Sequence, residues 1–163
     1  AYAAIREAAP GGLGSAQEQD VAGEPTVTLR EAMALAADRD SVAREYATGY
    51  ALTFERSVPA LQRARRAGLA WPETIVQAYL ELLAEVPDTL VARKRGVEAA
   101  KEMSREARRA LEAGGMHTSE GCRAVADLDR AWRDDSNAKN PGTTADLVAA
   151  GLFVLWWIER GGV

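Results

Sequence analysis

Apolar residues recur along this chain at spacings of three and four, and nowhere do they alternate with polar ones at a period of two. The pattern predicts helices and no strands. Thr28 and Glu31 have the spacing of a capping box, opening a helix predicted from Leu29 to about Arg56. Its inner stripe runs through Ala32, Met33, Ala36, Val42, Ala43, Tyr46, Tyr50 and Phe54, with Arg39 caught inside it. Ser57 and Pro59 open a short helix that Gly68 closes, and Pro72 starts another that Pro87 stops. A helix is expected from Val97 to Ala113 before Gly114 and Gly115, and one capped by Ser119 through Trp132. Thr143 and Asp146 form a second box opening the last helix, up to Glu159. The expected fold is all-α, a single-domain bundle of about six to seven helices forming part of a larger helical domain.

Composition adds exclusions rather than a function. Hydrophobic residues at 47% and charged residues at 27% are those of a globular domain. A net charge of -4 argues against a nucleic-acid partner, which calls for a strongly basic face. The single cysteine, Cys122, rules out an internal disulfide framework and fits a reducing, cytoplasmic setting. The longest uncharged apolar run, Leu147 to Ile158, falls short of the ~20 residues that cross a bilayer, so no membrane partner is expected. The first residues, AYAAIREAAP, carry no signal-peptide pattern, and because Ala1 falls inside a helical pattern an upstream portion is expected.

Three constellations can carry chemistry. In NPGTTADL, Asn140 to Leu147, proline and glycine force a tight turn onto a helix start, where unpaired N–H groups and the helix dipole favour a phosphate; a plain helix cap is the alternative. Asp146 in that first turn can occupy the anion site itself or hold a magnesium ion. In DTLVARKRG, Asp88 precedes Arg93, Lys94 and Arg95, an acid followed by three cations able to neutralise a triphosphate; a cap followed by a solvated basic face reads equally well. In AADRDSVAREY, Asp38, Arg39, Asp40, Arg44 and Glu45 fall within two turns, and Arg39 among apolar positions calls for an acid or a phosphate. PGGLG at Pro10 to Gly14 and Asp20 are weaker candidates for phosphate approach and metal ligation. His117 lies in a glycine-flanked loop and Cys122 reads as packing rather than nucleophile, so triad and zinc chemistry have little support. Phe153, Trp156 and Trp157 read as core or as a contact between copies in a homo-oligomer.

Taken together, PGGLG with QEQDV, then EPTVTLREAMALAADRDSVAREYATGY, DTLVARKRG and NPGTTADLVAAGLFV resemble the C-terminal half of the triphosphoribosyl-dephospho-CoA synthases, over nearly the whole chain. The likeness is to their archaeal and methylotroph branch. Other members carry Asp-Thr-Asn where Asp88, Thr89 and Leu90 stand here, and a Ser-Pro-Gly-Gly-Ser-Ala-Asp-Leu turn in place of Asn140 to Leu147. The upstream half of that family, with its Pro-Lys-Pro-Gly type motif, is not present, so this chain alone is expected to be weakly active or inactive.

The resemblance implies a transferase that moves the triphosphoribosyl group of ATP to the 2′-hydroxyl of 3′-dephospho-CoA and releases adenine. ATP is then a substrate, with Mg2+ beside it. Arg93, Lys94, Arg95 and the turn Asn140, Gly142, Thr143 and Thr144 are expected on the triphosphate, Asp88 and Asp146 as metal ligands or base, and Arg39 with Asp40 on the opposite wall. A phosphoribosyl-type transfer in a one-carbon (methanopterin) cofactor pathway and a non-catalytic helical module are the alternatives.

Overall fold

The computed structural model describes Glu7 and residues 26–133 and 138–161, so PGGLG and Asp20 lie outside the described residues. Among the described residues the chain forms eight α-helices, one π turn and one 3-10 turn, and no strand.

The first departure from the sequence pattern is the predicted helix from Leu29 to Arg56, which is broken twice. α1, Leu29–Ala34, forms with its capping box intact: the Glu31 N–H donates to Thr28 Oγ1 at 3.3 Å and the Thr28 N–H to Glu31 Oε2 at 2.9 Å. It buries no residue. The chain then leaves the helix and restarts at α2, Ser41–Thr48, because Asp40 Oδ1 accepts from the N–H groups of Val42 and Ala43 at 2.9 and 3.1 Å. A short acid that satisfies backbone donors competes with helix continuation, which is why aspartate favours caps over helix interiors. Gly49 ends α2 in the left-handed region, and Tyr50 follows it there with φ 65°, an uncommon conformation for a residue with a side chain.

Buried Glu45 repairs the second break. Its carboxylate accepts from the Leu52 and Thr53 N–H groups, both at 2.8 Å, and from Thr53 Oγ1 at 2.5 Å, so the last turn of α2 caps the segment that follows. That segment runs through a π turn, Thr53–Ser57, into α3, Val58–Arg66. α4, Trp71–Glu85, starts with Pro72 in its first turn and stops before Pro87. α5, Thr89–Arg95, and α6, Val97–Glu112, meet at Gly96. After a 3-10 turn, Gly115–His117, come α7, Ser119–Trp132, and α8, Gly142–Glu159. The cap of α7 is Thr118 rather than Ser119: its side chain accepts from the Gly121 N–H at 3.0 Å.

α4 is the hub, packed against α3, α6 and α8. Leu52, Leu61, Ala78, Leu82, Leu147, Val148 and Leu155 fill the space between the π turn, α3, α4 and α8. On its other side, Leu80, Leu83, Ala84 and Ala107 pack with Leu111, Leu128 and Trp132, while Val91, Ala100 and Met103 join α5 to α6. Each fully buried leucine or valine contributes about 1.5–3 kcal/mol. α8 lies hard against the π turn: a Cβ on Gly151 would collide with Ser57 Oγ.

α8 is apolar on every side but buried only along the stripe from Thr143 to Leu155. Phe153 is 62% exposed, with Trp156 and Trp157 both at 47%, so the core placement expected of them is not met within this chain. The stripe that faces α3 and α4 is used up by Leu147, Val148, Gly151 and Leu155, which leaves the aromatic face outward. No helix among the described residues is long and apolar enough to cross a membrane.

Candidate active site

Three helices begin at one place. The N-terminal ends of α2, α5 and α8 are tied by side chains from their own first turns, although the three are far apart in sequence. Thr89, first in α5, accepts from the Ser41 N–H at the start of α2 at 3.1 Å and donates to Thr143 Oγ1 of α8 at 3.3 Å. Asp88 makes the stronger tie. Its Oδ1 caps α5 by accepting from the Leu90 and Val91 N–H groups at 2.9 and 3.0 Å. Its Oδ2 accepts from the Thr144 N–H at 2.7 Å and from Thr144 Oγ1 at 2.9 Å. Asp88 is 2% exposed, and those four donors take up its lone pairs. A buried carboxylate with no cation is sustained here by two helix N-termini and a hydroxyl.

Thr143 and Asp146 do not form the capping box their spacing predicts: Pro141 stands at the cap position and no side chain caps α8. Asp88 supplies the missing acceptor from another helix. The turn itself is held by the Gly142 N–H donating to the Asn140 carbonyl at 2.8 Å and by the Tyr79 hydroxyl donating to the Pro141 carbonyl at 3.3 Å. The turn lies close to α5, since a Cβ at Gly142 would come within 2.7 Å of Leu90 Cδ2 and make that side chain shift.

The remaining acids gather at the same point. Asp146 is exposed and makes no hydrogen bond among the described residues, while Asp40 spends Oδ1 on its cap and leaves Oδ2 open. Partial desolvation, then the charges of Asp88 and Asp40, push the Asp146 carboxyl above its ordinary value. Burial and the charge of Asp88 likewise push the Tyr79 hydroxyl upward, so it stays protonated. No three His, Cys, Asp or Glu side chains among the described residues gather tightly enough to hold a metal ion by themselves.

The cations stand between one and two turns further along α5. Arg93, Lys94 and Arg95 are exposed in the last turn of α5, about 8–10 Å along the axis from Asp88 at ~1.5 Å per residue. Helical spacing of four puts Arg93 on the face of Thr89 and Lys94 on that of Leu90, the two residues that touch α2 and α8. Arg95 instead follows Val91, which faces the core. Arg39 does not sit in an apolar stripe. Its side chain is 63% exposed, donating to the Leu35 carbonyl at 3.0 Å and lying 3.5 Å from Asp38, because α1 ends at Ala34 and Arg39 falls in the turn before Asp40. Sequence reasoning missed Thr89 and Tyr79; only the tertiary approach of α4, α5 and α8 gives them a role.

Residues 1–162 match the model of the CitG family, described as ATP:dephospho-CoA triphosphoribosyl transferase. The chain belongs to that family. Among its relatives, a probable 2-(5''-triphosphoribosyl)-3'-dephosphocoenzyme-A synthase of Pseudomonas syringae pv. tomato is 37% identical over 113 residues, 69% of this chain and 38% of that protein. A probable synthase of the same name from Pseudomonas fluorescens is 36% identical over 122 residues, 74% of this chain and 41% of the relative. The 2-(5''-triphosphoribosyl)-3'-dephosphocoenzyme-A synthase of Klebsiella pneumoniae is 35% identical over 98 residues, 60% of the chain and 34% of its own length. The family relationship therefore spans about two fifths of the relatives' length. No solved structure matches the chain.

Proposed function

We propose that this chain is the C-terminal part of a cytoplasmic triphosphoribosyl transferase using ATP and 3′-dephospho-CoA, and that the joined N-termini of α2, α5 and α8 are its phosphate and proton-transfer site. The observation that carries this reading is the Asp88–Thr144 tie, which brings the starts of α5 and α8 together below Asp40 and Asp146. Family membership supports the chemistry, and the positive dipole ends of three converging helices favour a polyanion.

In this reading Arg93 and Lys94 hold the outer phosphates, with Arg95 at the edge, while the turn from Asn140 through Thr143 faces the inner end, ahead of Thr144, whose N–H is on Asp88. Arg39 and Asp40 form the far wall. Three aspartates would repel a bare triphosphate, so the donor set fits a divalent cation: the open Oδ2 of Asp40 would hold magnesium together with phosphate oxygens, a mode in which one or two carboxylates suffice. Bound there, magnesium supplies charge neutralisation. Asp88, with its lone pairs already filled, positions α8 rather than binding metal.

The reaction joins the acceptor's 2′-hydroxyl oxygen to the anomeric carbon of the ATP ribose and breaks the bond from that carbon to adenine. Asp146 takes the hydroxyl proton, a role suited to a carboxyl whose proton affinity is raised. Adenine leaves with the bond's electron pair and gains a proton. Calorimetry with magnesium ATP tests the site: binding heat is expected for the native chain and its loss in the Arg93→Glu, Lys94→Glu double variant. No heat in either protein would leave a non-catalytic helical module.

A further inference from the structure

Behind the Asn140–Pro141 turn, α4, the 3-10 turn and α7 line a half-open cavity of about 620 Å³ that the reaction as described does not use. Its volume is that of a small-molecule site, which typically runs to about 300–1,000 Å³. Ile75, Val76 and Leu80 of α4 face Val125, Leu128 and Trp132 of α7 across it. Polar groups are few and mostly spent. The Tyr79 hydroxyl is on the Pro141 carbonyl, and Arg133 Nε pairs with Asp129 Oδ2 at 2.8 Å. Asn140 lies at the rim nearest the start of α8, next to Lys139, whose ammonium donates to the Ala131 carbonyl at 3.4 Å.

We infer that this cavity takes the pantetheine arm of the acceptor, the uncharged chain of methylene, gem-dimethyl and amide groups that ends in a thiol. The inference rests on the reading of the acceptor as 3′-dephospho-CoA and adds where its arm lies. Tyr79 and Pro141 are common to the cavity wall and to the turn that opens α8, so a molecule lying in the cavity reaches the acids by crossing a single turn. An aliphatic wall with few polar side chains, Asn140 at its rim and Lys139 held on the Ala131 carbonyl at 3.4 Å, suits a long uncharged chain with two amides. It does not suit adenine, whose ring edge needs several donors and acceptors in one plane. Lys139, beside Asn140, then meets the pyrophosphate that joins the arm to its nucleoside, and the ribose hydroxyl falls on the Asp146 side.

Cys122 lines the cavity and is half-buried there, which gives a direct readout. The native chain is treated with iodoacetamide and its intact mass followed, with S-methyl dephospho-CoA, S-methyl pantetheine or magnesium ATP present; the S-methyl group keeps the ligand from consuming reagent. Both pantetheine compounds are expected to slow Cys122 alkylation, and ATP is not. Ala126 is an exposed lining residue, so Ala126→Trp fills the cavity from its mouth. It should weaken S-methyl dephospho-CoA binding about tenfold or more and leave magnesium ATP binding as it is. Binding of S-methyl dephospho-CoA without protection of Cys122, and with unchanged affinity in Ala126→Trp, overturns the cavity assignment while the acceptor reading stands. Absence of any binding by S-methyl dephospho-CoA overturns both.

Discussion

Replacing Asp88 separates two roles that its position in the chain cannot distinguish. Oδ1 satisfies two N–H groups of α5, and losing a cap of this kind costs about 1 kcal/mol. Oδ2 satisfies the N–H and the hydroxyl of Thr144, both buried, and an orphaned buried donor costs about 1–3 kcal/mol. Asp88→Ala should therefore destabilise the chain by about 4 kcal/mol, a large fraction of the ~5–15 kcal/mol typical of a domain. Asp88→Asn is gentler. Its amide oxygen can keep the cap on α5, but its NH2 then faces the Thr144 N–H, donor against donor, for about 2 kcal/mol. Thr144→Val removes only the hydroxyl's bond, about 1 kcal/mol, and a double-mutant cycle with Asp88→Asn should show coupling of about 1 kcal/mol. Urea unfolding followed by far-UV circular dichroism measures all four proteins. Magnesium ATP titrations of the Asn variant should show lowered affinity with an unaltered magnesium dependence. An Asp88→Asn protein that unfolds at the native urea midpoint, yet needs far more magnesium, would refute the positioning role and make Asp88 a metal ligand.

Asp146→Asn should raise the melting temperature at neutral pH. A carboxyl whose proton affinity is higher in the folded chain than in the unfolded one opposes folding once pH rises above its ordinary value, 3.8, and increasingly until it is ionised in both states. The gain should vanish below about pH 3, where the acid is protonated in folded and unfolded chains alike, and the substitution should abolish adenine release; a melting curve with the same gain at both pH values would contradict this reading. Gly151→Ala should cost about 1–3 kcal/mol in urea unfolding, because its methyl group meets Ser57 Oγ where α8 crosses the π turn. Unchanged stability there would mean that α8 is free to shift.

Helix identity was legible wherever punctuation was unambiguous. Pro72 and Pro87 bracket α4, Gly114 follows α6, and the Thr28–Glu31 box formed as its spacing requires. The long helix failed because a periodic apolar stripe says nothing about competing local bonds. Asp40 captures two backbone donors, Gly49 turns left-handed and Glu45 caps the next segment, each a polar event invisible to hydrophobic periodicity. Arg39 illustrates the consequence: assigned to the inside of a continuous helix, it lies exposed in the turn between α1, which ends at Ala34, and α2, which starts at Ser41.

The same competition accounts for the site. Thr143 and Asp146 carry the spacing of a local box, yet α8 takes its acceptor from Asp88, 56 residues earlier in the chain. Because that acceptor is on another helix, capping α8 and fixing it beside α5 become a single event, and Asp146 keeps both carboxylate oxygens out of the cap. A local box would have turned Asp146 back onto its own backbone and removed an exposed acid whose proton affinity is raised. Burying Asp88 without a cation is tolerable for the same reason, since the N–H groups it satisfies are ones that two helices would otherwise leave unpaired. The arrangement thus spends one aspartate on joining helices so that two others, Asp40 and Asp146, stay available where those helices start.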